Sequence, residues 1–199
     1  MPNIAIIYHS GFGHTRVQAE AVMGGVRQVN GVEVTLISVE HYEAHWDQLD
    51  EADAIVFGSP TYMAGPSAPF KAFLDATSSR WADQRWKDKL AAGFTNSAGM
   101  NGDKLNTLQQ FSLFAMQHGM VWVGLGLLPG NHTSTGSEND MNRLASFLGA
   151  MAQSNADQGA DVVPGASDRE TARYLGRRVA EASLRWRVGS LQASLEATA

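Results

Sequence analysis

Short apolar runs recur along the chain, and segments with a helical period separate them. Most of these runs lack the polar–apolar alternation expected when one face of a sheet meets water. They predict five strands, at residues 4–8, 32–39, 54–58, 90–95 and 120–125. Apolar strands joined by helices are typical of a parallel sheet covered on both sides. We therefore predict an α/β fold, with a doubly wound, five-stranded parallel sheet in a three-layer α/β/α arrangement.

The connecting segments carry the signals of helices. Val22, Val26 and Val29 share one face of a helix predicted over residues 15–29. Further helices are predicted from Pro69 behind a Ser67 cap, over 104–117, and from a capping box at 167–170. Residues 126–165 are rich in Gly, Asn, Ser and Thr, with one short helix expected at 141–151. A length of 199 residues suits a single domain, 1–199.

Composition excludes several classes of function. The chain has no cysteine, which excludes disulfides, thiolate catalysis and Cys-based zinc or iron–sulfur sites. Its net charge is −5 and no basic cluster occurs, so we expect no nucleic-acid partner. No apolar run approaches the roughly 18 residues of a membrane span, so we expect no membrane insertion and a cytoplasmic location. The histidines His41, His45 and His132 lack metal-ligand spacing, and we expect no metal.

Ligands of open parallel sheets bind beyond the carboxyl ends of the strands. Three loops rich in Gly, Ser, Thr and Asn follow the first, third and fourth predicted strands, at residues 10–15, 59–65 and 96–103. These three loops are therefore the candidate binding site.

The first loop is either a tight turn or a cradle for phosphate. The Ser10 and Thr15 hydroxyls and the backbone N–H groups around Gly11 and Gly13 could surround an anion at a helix N-terminus. A Walker loop is excluded because no lysine ends the motif, and a dinucleotide fingerprint is disfavoured because Arg16 replaces its third glycine. A single phosphate needs neither feature.

Other doubly wound proteins fit less well. A phospho-receiver domain would have acidic residues where this chain has His9 and Ser10, and Gly58 and Ser59. A serine hydrolase would need a Gly-x-Ser-x-Gly elbow, which the sequence lacks.

The second and third loops suit a flat aromatic ligand. Tyr62 and Met63 offer a ring and a thioether, and Ser97–Gly102 offers small residues whose backbone N–H groups could approach ring carbonyls. A flat polar heterocycle with a phosphate tail describes flavin mononucleotide (FMN). Tyr62 and Met63 could instead simply pack over the loop. Outside these loops, His118 has the alternative role of a partner for a helix end, and Trp81 that of an anchor in the core or an interface.

At these residues the sequence resembles the flavodoxin-like NAD(P)H:quinone oxidoreductases, the group once called tryptophan-repressor-binding proteins. The similar segments follow in order along most of the chain: YHSGFGHTR, FGSPTYM, FKAFLDAT, FTNSAGMNGD, HGMVWVGLG and ARYLGRRVAE. The resemblance implies a flavodoxin-like fold, noncovalently bound FMN, NADH or NADPH as electron donor, and a quinone or similar small aromatic acceptor.

The resemblance also implies roles for particular residues. His118 corresponds to a flavin-side histidine with a catalytic role, and Phe12 and Trp81 correspond to substrate-side residues. The implied cofactor-binding residues are Ser10, Gly11, Phe12, Gly13, His14, Thr15, Thr61, Tyr62, Met63, Asn96, Ser97, Ala98, Gly99, Met100, Asn101, Gly102 and His118.

Departures from the family pattern leave alternatives open. Tyr62-Met63-Ala64 replaces an Arg-aromatic-Gly segment, which removes a cation near the flavin or the nicotinamide. A homodimer or homotetramer is expected, although the segment after the second strand is shorter than usual. A flavodoxin-type electron carrier is the alternative function. A flavin-free protein, with Met100 or Asn101 blocking the ring site, is a third.

Overall fold

The computed structural model describes the backbone of residues 1–197 and the side chains of residues 1–189. The predicted domain, 1–199, thus ends two residues outside the described part. The strands are β1 (Asn3–Tyr8), β2 (Glu33–Ser38), β3 (Ala54–Tyr62), β4 (Gly65–Pro66), β5 (Leu90–Ser97), β6 (Val121–Trp122) and β7 (Ala150–Gln153). The helices are α1 (His14–Val26), a 3-10 helix (Val39–His45), α2 (Trp46–Glu51), α3 (Ala68–Ala76), α4 (Ser78–Ala82), α5 (Lys104–Gln117) and α6 (Ala166–Ala197).

The central sheet is parallel, with strand order β2-β1-β3-β5-β6. In its register Ile6 lies beside Leu36 on one side and Val56 on the other. The sheet grows from β1 to β2 on one side and from β3 to β6 on the other, so the connecting helices cover both faces. The predicted doubly wound fold is confirmed. Even the 32-residue α6 lacks an apolar stretch that could cross a membrane, and the same is true of every other described helix.

The fifth position of the sheet is divided between two strands. β6 pairs with the start of β5, Leu90 beside Val121, and β7 pairs with its end, Phe94 beside Ala150. The predicted strand over 120–125 is therefore right only at Val121–Trp122. The chain then leaves the sheet and returns 27 residues later, after residues 123–149.

The helix predicted over 141–151 is wrong. Asn142 and Ala145 adopt positive φ angles of 54° and 53°, which an α-helix does not contain. The Asn142 amide also donates to the backbone carbonyls of Leu127, Leu128 and Ser146, and so fixes an irregular loop. Apolar residues at its end form β7 instead.

Two predicted helix caps differ in detail. Ser67 precedes α3, but its hydroxyl bonds Ser59 Oγ at 3.1 Å and caps no backbone N–H. The last helix begins at Ala166, so Ser167 lies inside it and donates Oγ to the Glu138 carbonyl at 2.9 Å. The helices themselves occur where the sequence predicts them.

Each face of the sheet carries its own apolar core. One core joins α1 and α6 to the sheet and is built from aliphatic residues such as Val22, Val26 and Leu175. The other joins α3 and α5 and is rich in aromatic residues, including Phe57, Phe73 and Phe111. Because helices cover both faces of the sheet, the loops at its carboxyl edge are the part of the sheet region open to a ligand.

Candidate functional site

The three predicted loops meet at the carboxyl edge of β1, β3 and β5. They enclose a cavity of about 180 Å³, called here the strand-end cleft. Its lining residues are Phe12, His14, Thr15, Pro60, Tyr62, Asn96, Ser97, Ala98, Ser154 and Ala156. Seven predicted cofactor residues are in that lining, so the topology brings distant parts of the sequence together.

The first loop turns directly into α1. Gly13 precedes the helix with a φ of 87°, and a methyl group on it would lie 2.9 Å from the Ala160 side chain. Ser10 Oγ accepts the Arg16 N–H at 3.0 Å. The backbone N–H groups of residues 11–15 have no acceptor among the described residues. Together with the helix dipole, these N–H groups give this end of the cleft a set of donors suited to an anion.

The second loop brings an aromatic ring, that of Tyr62, against Phe12 of the first loop. Tyr62 and Phe12 pack edge to face, with ring centroids 6.5 Å apart, and Phe12 is 78% exposed. A methyl group on Gly11 would lie 2.8 Å from the Tyr62 hydroxyl, so glycine allows the ring to approach the first loop. Met63 lies at the tip of the β3–β4 hairpin and is fully exposed.

Thr61, also predicted to bind the cofactor, is turned away from the cleft. It is buried, and its hydroxyl bonds those of Thr95 and Thr107 at 2.8 and 2.7 Å. Thr61 therefore ties β3 to β5 and α5.

The third loop is fixed at its base and exposed at its tip. The Asn96 amide donates to Ser154 Oγ at 2.9 Å, and Ser97 Oγ accepts from Lys104 Nζ at 2.7 Å. The remaining predicted residues of this loop, apart from Ala98, are exposed and lie outside the cleft lining: Gly99, Met100, Asn101 and Gly102.

Sequence reasoning missed two parts of this site. Lys104 is completely buried beneath the third loop, and burial lowers its pKa to about 8. The segment after β7 supplies Ser154 and Ala156 to the cleft, and its Gln158 carbonyl bonds His14 Nε2 at 2.9 Å. A lysine beginning a helix behind a glycine loop was a usable signal for the first. The second depended on recognising β7.

His118 lies at the opposite edge of the sheet. α5 starts beside the third loop and runs for 14 residues, about 21 Å, before reaching it. The next residue, Gly119, accepts the N–H of Asp88, just before β5 begins. His118 is therefore absent from the lining of the strand-end cleft in its own chain, and its contact with a flavin stays a prediction.

Trp81 lies near His118 and, like it, is absent from the lining of the strand-end cleft. Both residues line a separate cavity of about 490 Å³ between α3, α4 and α5. The His118 imidazole packs against Trp86 and Phe114, and burial lowers its pKa to about 4. Because Trp81 is not part of the lining of the strand-end cleft, its contact with a substrate stays a prediction.

A comparison with protein families agrees with this geometry. The profile described as NADPH-dependent FMN reductase matches residues 3–133, well over half of the chain. The chain belongs to this family. Members are oxidoreductases, which confirms the class of activity that the resemblance implied.

Individual relatives cover nearly the whole chain. The flavodoxin FldP of Pseudomonas aeruginosa is 42% identical over 184 residues, which cover 90% of this chain and 96% of that protein. An NAD(P)H dehydrogenase (quinone) of Acidithiobacillus ferrooxidans is 32% identical, covering 91% and 96%. A crystal structure of a flavodoxin, WrbA-like protein from Agrobacterium tumefaciens superposes with a TM-score of 0.72 at 42% identity, covering 93% and 99%. The flavodoxin-like fold and the resemblance are confirmed.

Proposed function

We propose that this member of the NADPH-dependent FMN reductase family binds FMN noncovalently in the strand-end cleft and transfers electrons from NADH or NADPH to a quinone or similar small aromatic acceptor. The observation that carries the proposal is one juxtaposition. Unpaired backbone donors at the start of α1 and the rings of Phe12 and Tyr62 line the same cleft.

The start of α1 suits the phosphate of FMN. Ser10 Oγ already holds the first turn through Arg16 N, and its hydroxyl proton remains available to an anion. The Thr15 side chain lines the cleft and is otherwise buried. The N–H groups of residues 11–15 would supply further donors, so a phosphate there needs no lysine.

The aromatic side of the cleft suits a flat ring. The hydroxyl edge of Tyr62 reaches the first loop, and Phe12 is exposed beside it, where a nicotinamide or acceptor ring could stack. When bound, FMN supplies hydride acceptance and two-electron delivery. The chain's own contribution is to hold the ring, exclude water on one side and present N–H donors where negative charge develops.

The subunit number, a homodimer or homotetramer, is part of the proposal. Trp81 and His118 line a separate cavity and not the cleft of their own chain. If these two residues serve a flavin, it is that of another copy. Light scattering on the purified protein measures the number of copies.

Anaerobic stopped-flow mixing tests the proposed reaction. The FMN-loaded protein is mixed with NADPH or NADH, and flavin absorbance near 450 nm is followed. The reduced protein is then mixed with a water-soluble quinone, which reoxidises the flavin. We expect bleaching within seconds with at least one donor and rapid recovery with quinone. No bleaching by either donor contradicts the enzyme and favours an electron carrier, the activity suggested by the flavodoxin name of the 42%-identical relative.

A further inference from the structure

Lys104 makes an unusual set of contacts for a lysine. Its side chain is completely buried at the first residue of α5. The ammonium Nζ lies 2.7 Å from Ser97 Oγ, 2.7 Å from the Gly99 carbonyl and 2.9 Å from the Met100 carbonyl. An ammonium has three donors, so the third loop satisfies all of them.

A neighbouring side chain extends this pattern by one residue. Gln153 Nε2 donates to the Ala98 carbonyl at 2.9 Å. The carbonyls of three successive residues, 98–100, are therefore held by side-chain donors. Gln153 is in turn fixed, because its own backbone N–H donates to Asp168 Oδ2 at 2.9 Å.

Fixing these carbonyls also fixes the N–H groups that follow them. In a trans peptide the C=O of one residue and the N–H of the next point in opposite directions. The N–H groups of Gly99, Met100 and Asn101 must then point away from the donors that hold the carbonyls. Among the described residues none accepts from them, and the loop around them is exposed.

We propose that Lys104 is a positioning residue for the flavin. It holds the third loop so that the N–H groups of residues 99–101, exposed just beyond the cleft lining at Ala98, stay free to donate to the part of the ring that extends past Ala98, and its buried charge favours the reduced, more negative form of the ring. The inference rests on the proposed function, and it assigns to FMN binding a residue outside the predicted site. Neutralising Lys104 should therefore weaken reduced FMN more than oxidised FMN.

The surroundings of Lys104 make its charge sensitive to pH. Burial lowers its pKa to about 8, the nearby Asp168 carboxylate raises it, and the Arg143 guanidinium lowers it further. Arg143 and Asp168 are themselves paired, with Nε 2.8 Å from Oδ1. A bound anion would raise the Lys104 pKa, so FMN should bind more tightly to the protonated form and its affinity should fall as pH rises through 8.

The experiment compares wild type, Lys104→Met and, as control, Lys71→Met at an exposed lysine of α3. FMN is titrated by fluorescence quenching at pH 7 and pH 9, and the two-electron midpoint potential is measured at pH 7. For wild type and the control we expect the FMN dissociation constant to rise about threefold or more between the two pH values. For Lys104→Met we expect a weaker, pH-independent constant and a preference for reduced FMN about tenfold smaller, equal to about 30 mV.

If Lys104→Met does not fold, as judged by circular dichroism, the wild-type titration still tests the proposal by itself. A wild-type constant that is the same at pH 7 and pH 9 overturns the proposal. So does a folded Lys104→Met with an unchanged constant and potential. Failure of wild type to bind FMN at either pH overturns the proposed function itself, and this inference with it.

Discussion

His118 Nε2 lies 3.0 Å from Thr77 Oγ1, joining the end of α5 to the end of α3. Thr77 donates its single hydroxyl proton to the Leu74 carbonyl at 2.7 Å, so toward His118 it can only accept. The proton of the neutral imidazole is therefore on Nε2. Nδ1 is left buried, with a lone pair and no partner among the described side chains.

This arrangement predicts a loss of stability in mild acid. The His118 pKa is about 4 in the folded protein, against 6.5 for an ordinary histidine, because burial disfavours the charged ring. Below pH 6.5 this histidine binds a proton in the unfolded chain but not in the folded chain. The free energy of unfolding therefore falls as pH drops toward 4. Between pH 6.5 and 4.5 this one group should cost on the order of 2 kcal/mol.

Urea unfolding at several pH values measures that cost. The variant His118→Gln keeps a donor for Thr77 but does not titrate, so its stability should fall less steeply than that of wild type. His41→Gln, at an exposed position, should follow wild type. Parallel curves for wild type and His118→Gln would show that His118 does not resist protonation.

The crossing of α1 and α6 predicts opposite effects at two adjacent glycines. A methyl group on Gly25 would overlap the backbone carbonyl of Arg173, and one on Gly176 would overlap that of Val22. A methyl group on Gly24 would meet only Arg173 Nε, at 3.7 Å. Gly25→Ala must therefore separate the helices, whereas Gly24→Ala adds a better helix former without a clash.

Thermal unfolding followed by circular dichroism separates the two variants. We expect Gly25→Ala to lose about 3 kcal/mol or more, and Gly24→Ala to gain about 0.5–1 kcal/mol. A Gly25→Ala protein as stable as wild type would contradict this close helix contact.

The β3–β4 hairpin predicts that stability can be gained at the rim of the cleft. Its two turn residues, Met63 and Ala64, adopt positive φ angles of 47° and 65°, a conformation that favours Asn and Gly. Asn106 Nδ2 donates to the Ala64 carbonyl and helps to hold the turn. Replacing the pair by Asn and Gly should raise the free energy of unfolding by about 1–2 kcal/mol.

Denaturant unfolding checks this gain against Ala72→Gly, an exposed helical position of α3. Glycine should cost about 1 kcal/mol there, because glycine loses more conformational entropy on folding than alanine does. At position 72 no strained backbone is relieved in return. A Met63→Asn, Ala64→Gly variant that loses as much stability as Ala72→Gly would mean that the turn is unstrained.

The sequence predicted the parts of the fold that depend on local pattern. Long apolar runs with flanking turns placed β1 and β5, and the carboxyl-edge rule placed the loops around Phe12, Tyr62 and Asn96 in one cleft. β7 was missed because four residues are too few to show a periodic pattern, and because its pairing with β5 is a long-range contact.

Side-chain direction was harder to predict than loop position. The resemblance supplied a role for His118, but the length of α5 puts that residue at the far edge of the sheet. Thr61 and Lys104 both look like loop or helix-end residues in sequence. The structure buries both, because each finds partners on another element or on the preceding loop.

In the proposed complex the first loop holds the phosphate of FMN. Titration with FMN, followed by quenching of flavin fluorescence, tests it with the double variant Ser10→Ala, Thr15→Ala. The control is Ser38→Ala, which removes another serine that accepts a backbone N–H, at the start of the 3-10 helix. We expect wild type and the control to bind FMN alike, and the double variant to bind at least about 10-fold more weakly, since charge-assisted hydrogen bonds to a buried anion contribute about 1.5–3 kcal/mol each. A folded double variant with wild-type affinity would show that the phosphate is not held by the first loop, and a wild type that binds no FMN would show that the cleft is not a flavin site.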